Sequence, residues 1–170
     1  MIDSSLFASL VFAYFYLWLN ATAWPAGGAA VMAGTPALVA FALLALPLLA
    51  SWRAPVALAA GRLRVAIGWH VLALVGGALF LAHHLPAMWT AVGAPQAHAY
   101  GAVAWTLTGF HALHVIVALL VGGFTALRIH CGHVDAIRTL ESRIAVAFWR
   151  YVVAIGVITL AVLHLFPRWM

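Results

Sequence analysis

Five long apolar runs constrain the fold of this chain more than any other feature of its sequence. Each run is close to or longer than the roughly 20 residues that an α-helix needs to cross a bilayer, and charged side chains fall mostly between the runs. The sequence therefore predicts an all-α, integral membrane bundle of five transmembrane helices that forms a single domain over residues 1–170. The predicted helices cover about residues 4–24, 36–52, 63–82, 99–129 and 144–166.

Composition excludes the other broad classes of protein. Hydrophobic residues make up 67% of the chain and charged residues 6%, which leaves too few polar groups to cover a soluble domain. The net charge of +5 comes from arginines at helix ends, which is not the clustered basic patch of a nucleic-acid-binding protein. The single cysteine, Cys131, cannot form an intrachain disulfide. The first residues lack the basic segment of a cleavable signal peptide, so we expect the helices themselves to direct insertion.

The arginines also predict the orientation of the helices. Three lie in or beside the connection between the second and third predicted helices (Arg53, Arg62 and Arg64) and three in or beside that between the fourth and fifth (Arg128, Arg138 and Arg143), whereas the other two connections have none. Because cytoplasmic loops are enriched in basic residues, both basic connections are expected on the cytoplasmic side. With five spans, the N-terminus is then cytoplasmic and the C-terminus lies on the outer side.

The stretch TGFHALHV, residues 108–115, places two histidines inside the fourth predicted helix. His111 and His114 are three residues apart, so they lie on one face of that helix. Ionisable side chains at bilayer depth are unfavourable and usually face other helices. We interpret them as structural groups that hydrogen-bond between helices, or as ligands of a b-type haem. Haem ligation would need a histidine at matching depth on a facing helix, and the other histidines are predicted nearer the helix ends.

TGFHALHV closely resembles the TGFHGLHV signature of subunit III of haem–copper, cytochrome c type, oxidases. Residues 6–16, LFASLVFAYFY, resemble the family's helix that reads roughly E-V-x-F-F-x-x-F-x-A-Y-F. Ala99-Tyr100-Gly101 resembles the Y-G pair that precedes the family signature, and residues 149–153, WRYVV, stand where the family has a W-H-F-V-D run. The resemblance covers most of the chain, and the family includes five-helix forms that correspond to the last five of its usual seven helices.

The resemblance implies an accessory subunit of a terminal oxidase in a bacterial inner membrane. The complex would reduce dioxygen to water with electrons from cytochrome c, or from quinol in related complexes. Oxidase subunit I is the expected main partner, with subunit II in the same complex and bound phospholipid, and no nucleic acid. Haem and copper are expected in the partner subunits, and no cofactor, metal or catalytic residue is expected in this chain. The family's membrane glutamate falls at Ser4, and its last-helix histidine and aspartate fall at Arg150 and Val153, so proton uptake through these positions is not expected.

Seven residues are predicted to hold the bundle together or to bind phospholipid: His70, Phe110, His111, His114, Arg143, Trp149 and Arg150. Arg150 lies about two turns into the fifth predicted helix. Its side chain either snorkels to the cytoplasmic interface or pairs with a lipid phosphate or a carboxylate of another subunit. In the lipid interpretation, Arg143 joins Arg150 at an anionic head group, and His70 contributes from similar depth. The glycine pairs Gly76–Gly77 and Gly122–Gly123 predict close contact between helices.

Two alternative functions stay open. One is a membrane cytochrome that binds b-type haem, and the other is a different small membrane transport or scaffold protein. Acidic residues are absent from the apolar runs beyond the first turn of the chain, which argues against a proton-coupled carrier.

Overall fold

The part of the chain that the structure describes is helical throughout. The computed structural model describes residues 2–25, 29–31 and 34–168, and these contain five α-helices and no strand. The helices are α1 (Ile2–Leu19), α2 (Gly34–Ala59), α3 (Leu63–Val92), α4 (Ala99–His130) and α5 (Leu140–Leu160), followed by a π-helical turn (Ala161–Leu165) and a 3-10 turn (Phe166–Arg168). The predicted all-α class is confirmed.

Four of these helices are long and apolar enough to cross a membrane. They are α2, α3, α4 and the continuous segment of α5 and the π-helical turn, with lengths of 26 to 32 residues. Roughly 20 apolar residues suffice for a span. Helix α1 is also apolar but shorter, with 18 residues. The chain is therefore a membrane-embedded helical protein, as its composition predicts.

The second and third helices extend further than predicted. Helices α2 and α3 continue through Pro55 and Pro86, where the sequence predicts loops. Membrane helices accept proline because neighbouring helices and local adjustments of the backbone satisfy the groups that proline leaves unpaired. The connection between the third and fourth helices is therefore shorter than predicted, because α3 continues to Val92. As a consequence, His83 and His84 lie within α3 and not at its end.

The first helix ends earlier than predicted. Helix α1 stops at Leu19, not near residue 24. The Asn20 side-chain amide donates to the Tyr16 carbonyl at 2.7 Å, and the Trp24 indole N–H donates to the Tyr14 hydroxyl at 3.0 Å. The segment after Leu19 thus turns back onto α1. Residues 26–28 and 32–33 of the connection that follows lie outside the described residues, as do residues 169 and 170.

Glycines in the left-handed region end three of the helices. Gly61, Gly93 and Gly132 follow α2, α3 and α4 with φ of +70°, +76° and +75°. Glycine adopts this conformation without the steric penalty of a Cβ atom, which is why it commonly terminates helices. Gly132 ends α4 in this way. Helix α4 matches its predicted bounds to one residue, whereas α5 begins at Leu140 and not at about residue 144.

The chain divides into two compact units. The first comprises Met1–Phe41, Ala82–Ala112 and Ile155–Met170, and the second comprises Ala42–Leu81 and Leu113–Ala154. The core of the first unit is aromatic. Tyr14 and Tyr100 are fully buried, and the Trp24 ring packs edge-on against both. The Phe166 ring packs edge-on against Tyr14, so the end of the chain is joined to α1.

The second unit is packed around a buried indole. Trp149 of α5 is 1% exposed. A Cβ atom added at Gly77 of α3 would lie 2.6 Å from its ring, and one at Gly122 of α4 would lie 3.1 Å from its Nε1 atom. A Cβ atom added at Gly76 of α3 would lie 2.8 Å from a side-chain atom of α2. The close helix contact predicted for the glycine pairs is confirmed at these three positions, whereas an added Cβ at Gly123 would meet only ordinary contact at 3.9 Å.

Candidate functional site

The two histidines of the TGFHALHV stretch have different surroundings. His111 belongs to the first unit and is 1% exposed. His114 belongs to the second unit and is half-buried; its ring centroid lies 6.3 Å from that of Phe148 and 6.0 Å from that of Tyr151, both on α5. His111 is therefore the more deeply buried of the two, whereas His114 contacts aromatic rings of α5.

Two aromatic residues of the predicted set also pack against other helices. The Phe110 ring stacks on Phe7 of α1 with centroids 5.9 Å apart and an angle of 18° between the planes. Trp149 fills the space that Gly77 and Gly122 leave. Its indole N–H is buried and has no hydrogen-bond partner among the described residues. Both side chains thus join α-helices within a unit.

Arg150 is bound by neutral groups of α2. One guanidinium nitrogen donates to the Ser51 carbonyl at 2.8 Å, and a second donates to the Ser51 hydroxyl at 3.3 Å. The guanidinium carbon lies 4.1 Å from the centre of the Trp52 ring, in a cation–π contact. Arg150 forms no ion pair within the described part of the chain. A guanidinium carries five N–H donors, so N–H groups remain for a further acceptor.

His70 and Ser142 form a second polar contact between helices of the same unit. Their side chains hydrogen-bond at 3.1 Å between the histidine Nε2 and the serine Oγ atoms, and the two residues are 2% and 1% exposed. A buried polar group without a partner destabilises a fold, so this pairing fixes α3 against the first turn of α5. The imidazole of His70 is therefore occupied in joining these helices.

Arg143 lines two clefts near the start of α5. The larger, of about 480 Å³, is lined by Arg128, His133, Ile137, Arg138, Thr139, Leu140, Glu141 and Arg143. The smaller, of about 230 Å³, is lined by Pro55, Leu58, Ala59, Thr139, Ser142 and Arg143. Arg128 pairs with Glu141 and Arg138 pairs with Asp135, whereas Arg143 is exposed and forms no ion pair with any described residue. The larger cleft therefore carries an excess of positive charge.

The connection between α4 and α5 is held by Asp135. The Arg138 guanidinium donates to its carboxylate at 2.6 Å, and the backbone N–H groups of Arg138 and Ile137 donate to it at 2.8 and 2.9 Å. These hydrogen bonds, chiefly that of the Arg138 side chain, stabilise the ionised form and lower the pKa of Asp135 to about 2. The same partner raises the pKa of Arg138. The carboxylate is thus charged at all physiological pH values.

In the described part of the chain, Arg150, Arg143 and His70 have separate neighbours and do not line the single head-group site that the sequence predicts. His70 bonds to Ser142, Arg150 bonds to Ser51, and Arg143 lines the clefts. Arg143 and Arg150 lie seven residues apart on α5, which places them on nearly the same face and about 10 Å apart along the helix axis. The two arginines therefore lie along one side of α5.

The sequence prediction missed a pair of buried histidines. His84 of α3 and His164 of the π-helical turn are 1% and 0% exposed, and their ring centroids lie 5.7 Å apart. The neighbouring His83 bonds to the Pro36 carbonyl at 3.0 Å. The prediction that α3 ends at about residue 82 leaves His84 in a loop, and nothing in the local sequence indicates a π-helical turn at His164. The one available signal is the presence of histidines in otherwise apolar segments.

Within the described residues, no three histidine, cysteine or acidic side chains converge as ligands of one metal ion. Comparison of the sequence with protein-family models and with curated proteins gives no match.

Proposed function

We propose that this protein is an accessory subunit of the subunit III type in a haem–copper terminal oxidase of a bacterial inner membrane. The complex would reduce dioxygen with electrons from cytochrome c or quinol, and the chemistry would take place in the neighbouring subunits. The TGFHALHV stretch carries this proposal, because seven of its eight residues match the family signature. The all-helical, membrane-embedded fold is compatible with it.

In this proposal, all five α-helices cross the membrane. Helix α1 has 18 residues, or about 27 Å at a rise of 1.5 Å per residue, which is close to the roughly 30 Å of the hydrocarbon core. The arginine-rich connections from α2 to α3 and from α4 to α5 then face the cytoplasm. The N-terminus is cytoplasmic and the C-terminus is periplasmic.

The proposed role is to pack against oxidase subunit I, with subunit II in the same complex, and to hold phospholipid. The exposed guanidinium of Arg143 and the remaining N–H groups of Arg150 are suited to an anionic head group, since arginine binds phosphate oxygens through paired donors. An apolar cleft of about 310 Å³ at the opposite end of this last helical segment is lined by Ala161, Val162, Leu165 and Phe166 and would accommodate an acyl chain of a different lipid. Neither feature requires a cofactor in this chain.

The proposed role excludes proton uptake through the family's acidic positions. Ser4, Arg150 and Val153 stand where the family has a glutamate, a histidine and an aspartate. Arginine carries only N–H donors, and serine and valine carry no carboxylate, so none of these three side chains supplies the acidic group of the family. Any coupling of dioxygen reduction to proton movement would therefore depend on the partner subunits.

Co-purification tests the proposal. The tagged chain is extracted from its native membrane in a mild detergent, and the eluted proteins are identified by mass spectrometry. We expect an oxidase subunit I to elute in a stoichiometric ratio with the chain. An unrelated tagged membrane protein from the same cells is the control for detergent carry-over. Elution of the chain without any oxidase subunit would contradict the proposal.

The alternative of a b-type cytochrome is favoured by one observation, the proximity of His84 and His164 on two different elements. A pyridine haemochrome spectrum of the chain, freed from partner proteins, distinguishes the two functions. We expect no haem on the isolated chain. One haem per chain would establish the cytochrome instead.

A further inference from the structure

Arg150 is a cation inside an apolar segment, and its charge is not compensated within the described chain. It lies six residues after Ile144, the first residue of the apolar run of α5, which is about 9 Å along the helix axis. The chain has three acidic residues, and none of them forms an ion pair with Arg150 within the described residues. Ionisable side chains in membrane segments usually pair with an opposite charge. We therefore expect the counter-charge of Arg150 to come from another molecule.

The guanidinium of Arg150 is held in place and still has free donors. Its two hydrogen bonds to Ser51 and its contact with the Trp52 ring fix it against α2. Arg150 is half-buried and the Trp52 side chain is 59% exposed, so the guanidinium lies at the surface of the second unit. Two of its five N–H groups are used, and three remain. A planar group with several free donors is suited to a paired contact with a carboxylate.

The face of α5 around Arg150 is shallow. Ala147 and Ala154 lie three residues before and four residues after Arg150, so the three residues share one face of the helix. Both alanines are exposed. Small residues at such positions allow the backbone of another transmembrane helix to approach closely. The face therefore combines a fixed cation with the low profile that a neighbouring helix requires.

A carboxylate on a helix suits this position better than a lipid phosphate. Arg143 lies about 10 Å nearer the start of α5 and is exposed, so it is the arginine placed to meet phosphates at the membrane surface. A phosphate would have to leave that surface to reach the depth of Arg150, whereas an acidic side chain on a transmembrane helix is fixed at depth by its own backbone. Acyl chains pack on any apolar surface and have no need of the exposed alanines.

We propose that the face of α5 formed by Ala147, Arg150 and Ala154 docks a transmembrane helix of a partner subunit. An aspartate or glutamate of that helix accepts hydrogen bonds from the guanidinium of Arg150. This docking surface rests on the accessory role proposed above and names the place where the chain meets its partner. Arg143 then remains for a lipid head group.

Photo-crosslinking in the native membrane tests the docking surface. A benzophenone amino acid replaces Ala147 or Ala154 in the full-length chain, and the crosslinked peptides are identified by mass spectrometry. Both positions should capture one transmembrane segment that contains an aspartate or a glutamate. Leu120 of α4 is 69% exposed, and the same replacement there is the control for crosslinking from an exposed helix face. It should not capture that segment.

Charge variants test the ion pair. Arg150→Gln should lower the fraction of the captured partner that stays bound in mild detergent at least about tenfold, because the carboxylate is left without its counter-charge. Arg64→Gln removes a charge from an exposed arginine of α3 and should retain the partner. Because Arg150→Gln also removes the contacts to Ser51, a charge exchange separates pairing from folding. Arg150→Glu, combined with arginine at the acidic position of the partner, should retain more partner than either change alone.

Capture of lipid alone at both alanine positions, capture of a segment without an acidic residue, or a charge exchange that restores nothing would overturn the docking proposal. Oxidase subunits that still elute with the chain would leave the proposed function intact in each of these cases. Capture of an acidic transmembrane segment from a protein that is not an oxidase subunit would contradict the proposed function and support the docking surface.

Discussion

The contact between Gly77 and Trp149 gives a quantitative test of the helix packing. In Gly77→Ala the new Cβ atom would lie 2.6 Å from Cη2 of the indole and 3.3 Å from a methyl group of Leu119. Carbon atoms in favourable contact are about 3.5–4.0 Å apart, so the ring or a helix must move by about 1 Å. The indole is rigid and 1% exposed, and it cannot swing into open space. Overpacking of this kind destabilises a fold by about 1–3 kcal/mol.

Gly68→Ala is the control, because Gly68 lies in the same helix and an added Cβ there meets no atom within 4 Å. Both substitutions share the backbone gain of about 0.5–1 kcal/mol that alanine brings to a helix interior. The free energy of unfolding, measured by denaturant titration in mixed micelles, should therefore be about 1–3 kcal/mol lower for Gly77→Ala than for Gly68→Ala. In a Trp149→Phe background the difference should vanish, because the shorter ring no longer reaches the new methyl group. Equal stability of the two alanine variants would refute the packing argument, and so would a difference in their free energies of unfolding that persists in the Trp149→Phe background.

Three further predictions concern the polar residues. Arg150→Gln should lower the free energy of unfolding by about 1.5–3 kcal/mol and Ser51→Ala by less, because the shorter bond, at 2.8 Å, is accepted by the Ser51 backbone carbonyl; equal effects in the same denaturant titration would contradict this geometry. Because the pKa of Asp135 is lowered to about 2, its contribution to the order of the α4–α5 connection is complete above about pH 4 and is lost as the pH falls through 2. NMR of the arginine Nε–H groups should show this transition, and Asp135→Asn should remove it; a transition near pH 4 would mean that the carboxylate is unpaired. If the chain is the proposed oxidase subunit, replacement of both His111 and His114 by leucine should weaken assembly or shorten the working lifetime of the complex without changing its haem spectrum, and a changed spectrum would show that they act on the haem.

Much of the helical framework follows from the sequence. Apolar runs of about 20 residues can satisfy their backbone groups in a membrane only as helices or closed barrels, so charge-free segments predict where helices lie. Helix α4 matches its prediction to one residue because Gly132 gives an unambiguous end. The glycine pairs predict close contacts because a missing side chain has a direct steric consequence. These predictions depend on local chemistry alone.

The errors arise where neighbouring helices override local signals. Pro55 and Pro86 indicate loops in isolation, yet both lie inside helices. The partners of Arg150 on α2 are 99 residues away in sequence, and those of His70 are 72 away, so neither contact has a local signature. The proximity of His84 and His164 depends on a helix that is longer than predicted and on a π-helical turn. Such positions are set by tertiary packing, which the local sequence does not indicate.

The most direct test of the oxidase proposal is the haem content of the native complex and of its separated parts. The tagged chain, eluted in mild detergent, should carry a partner with the reduced-minus-oxidised spectrum of a haem–copper oxidase. Removal of that partner in a harsher detergent should leave the chain without haem, and the haem should stay with the partner. A chain that elutes without any haem-containing partner, or one that keeps the haem after separation, would contradict an accessory role in such an oxidase.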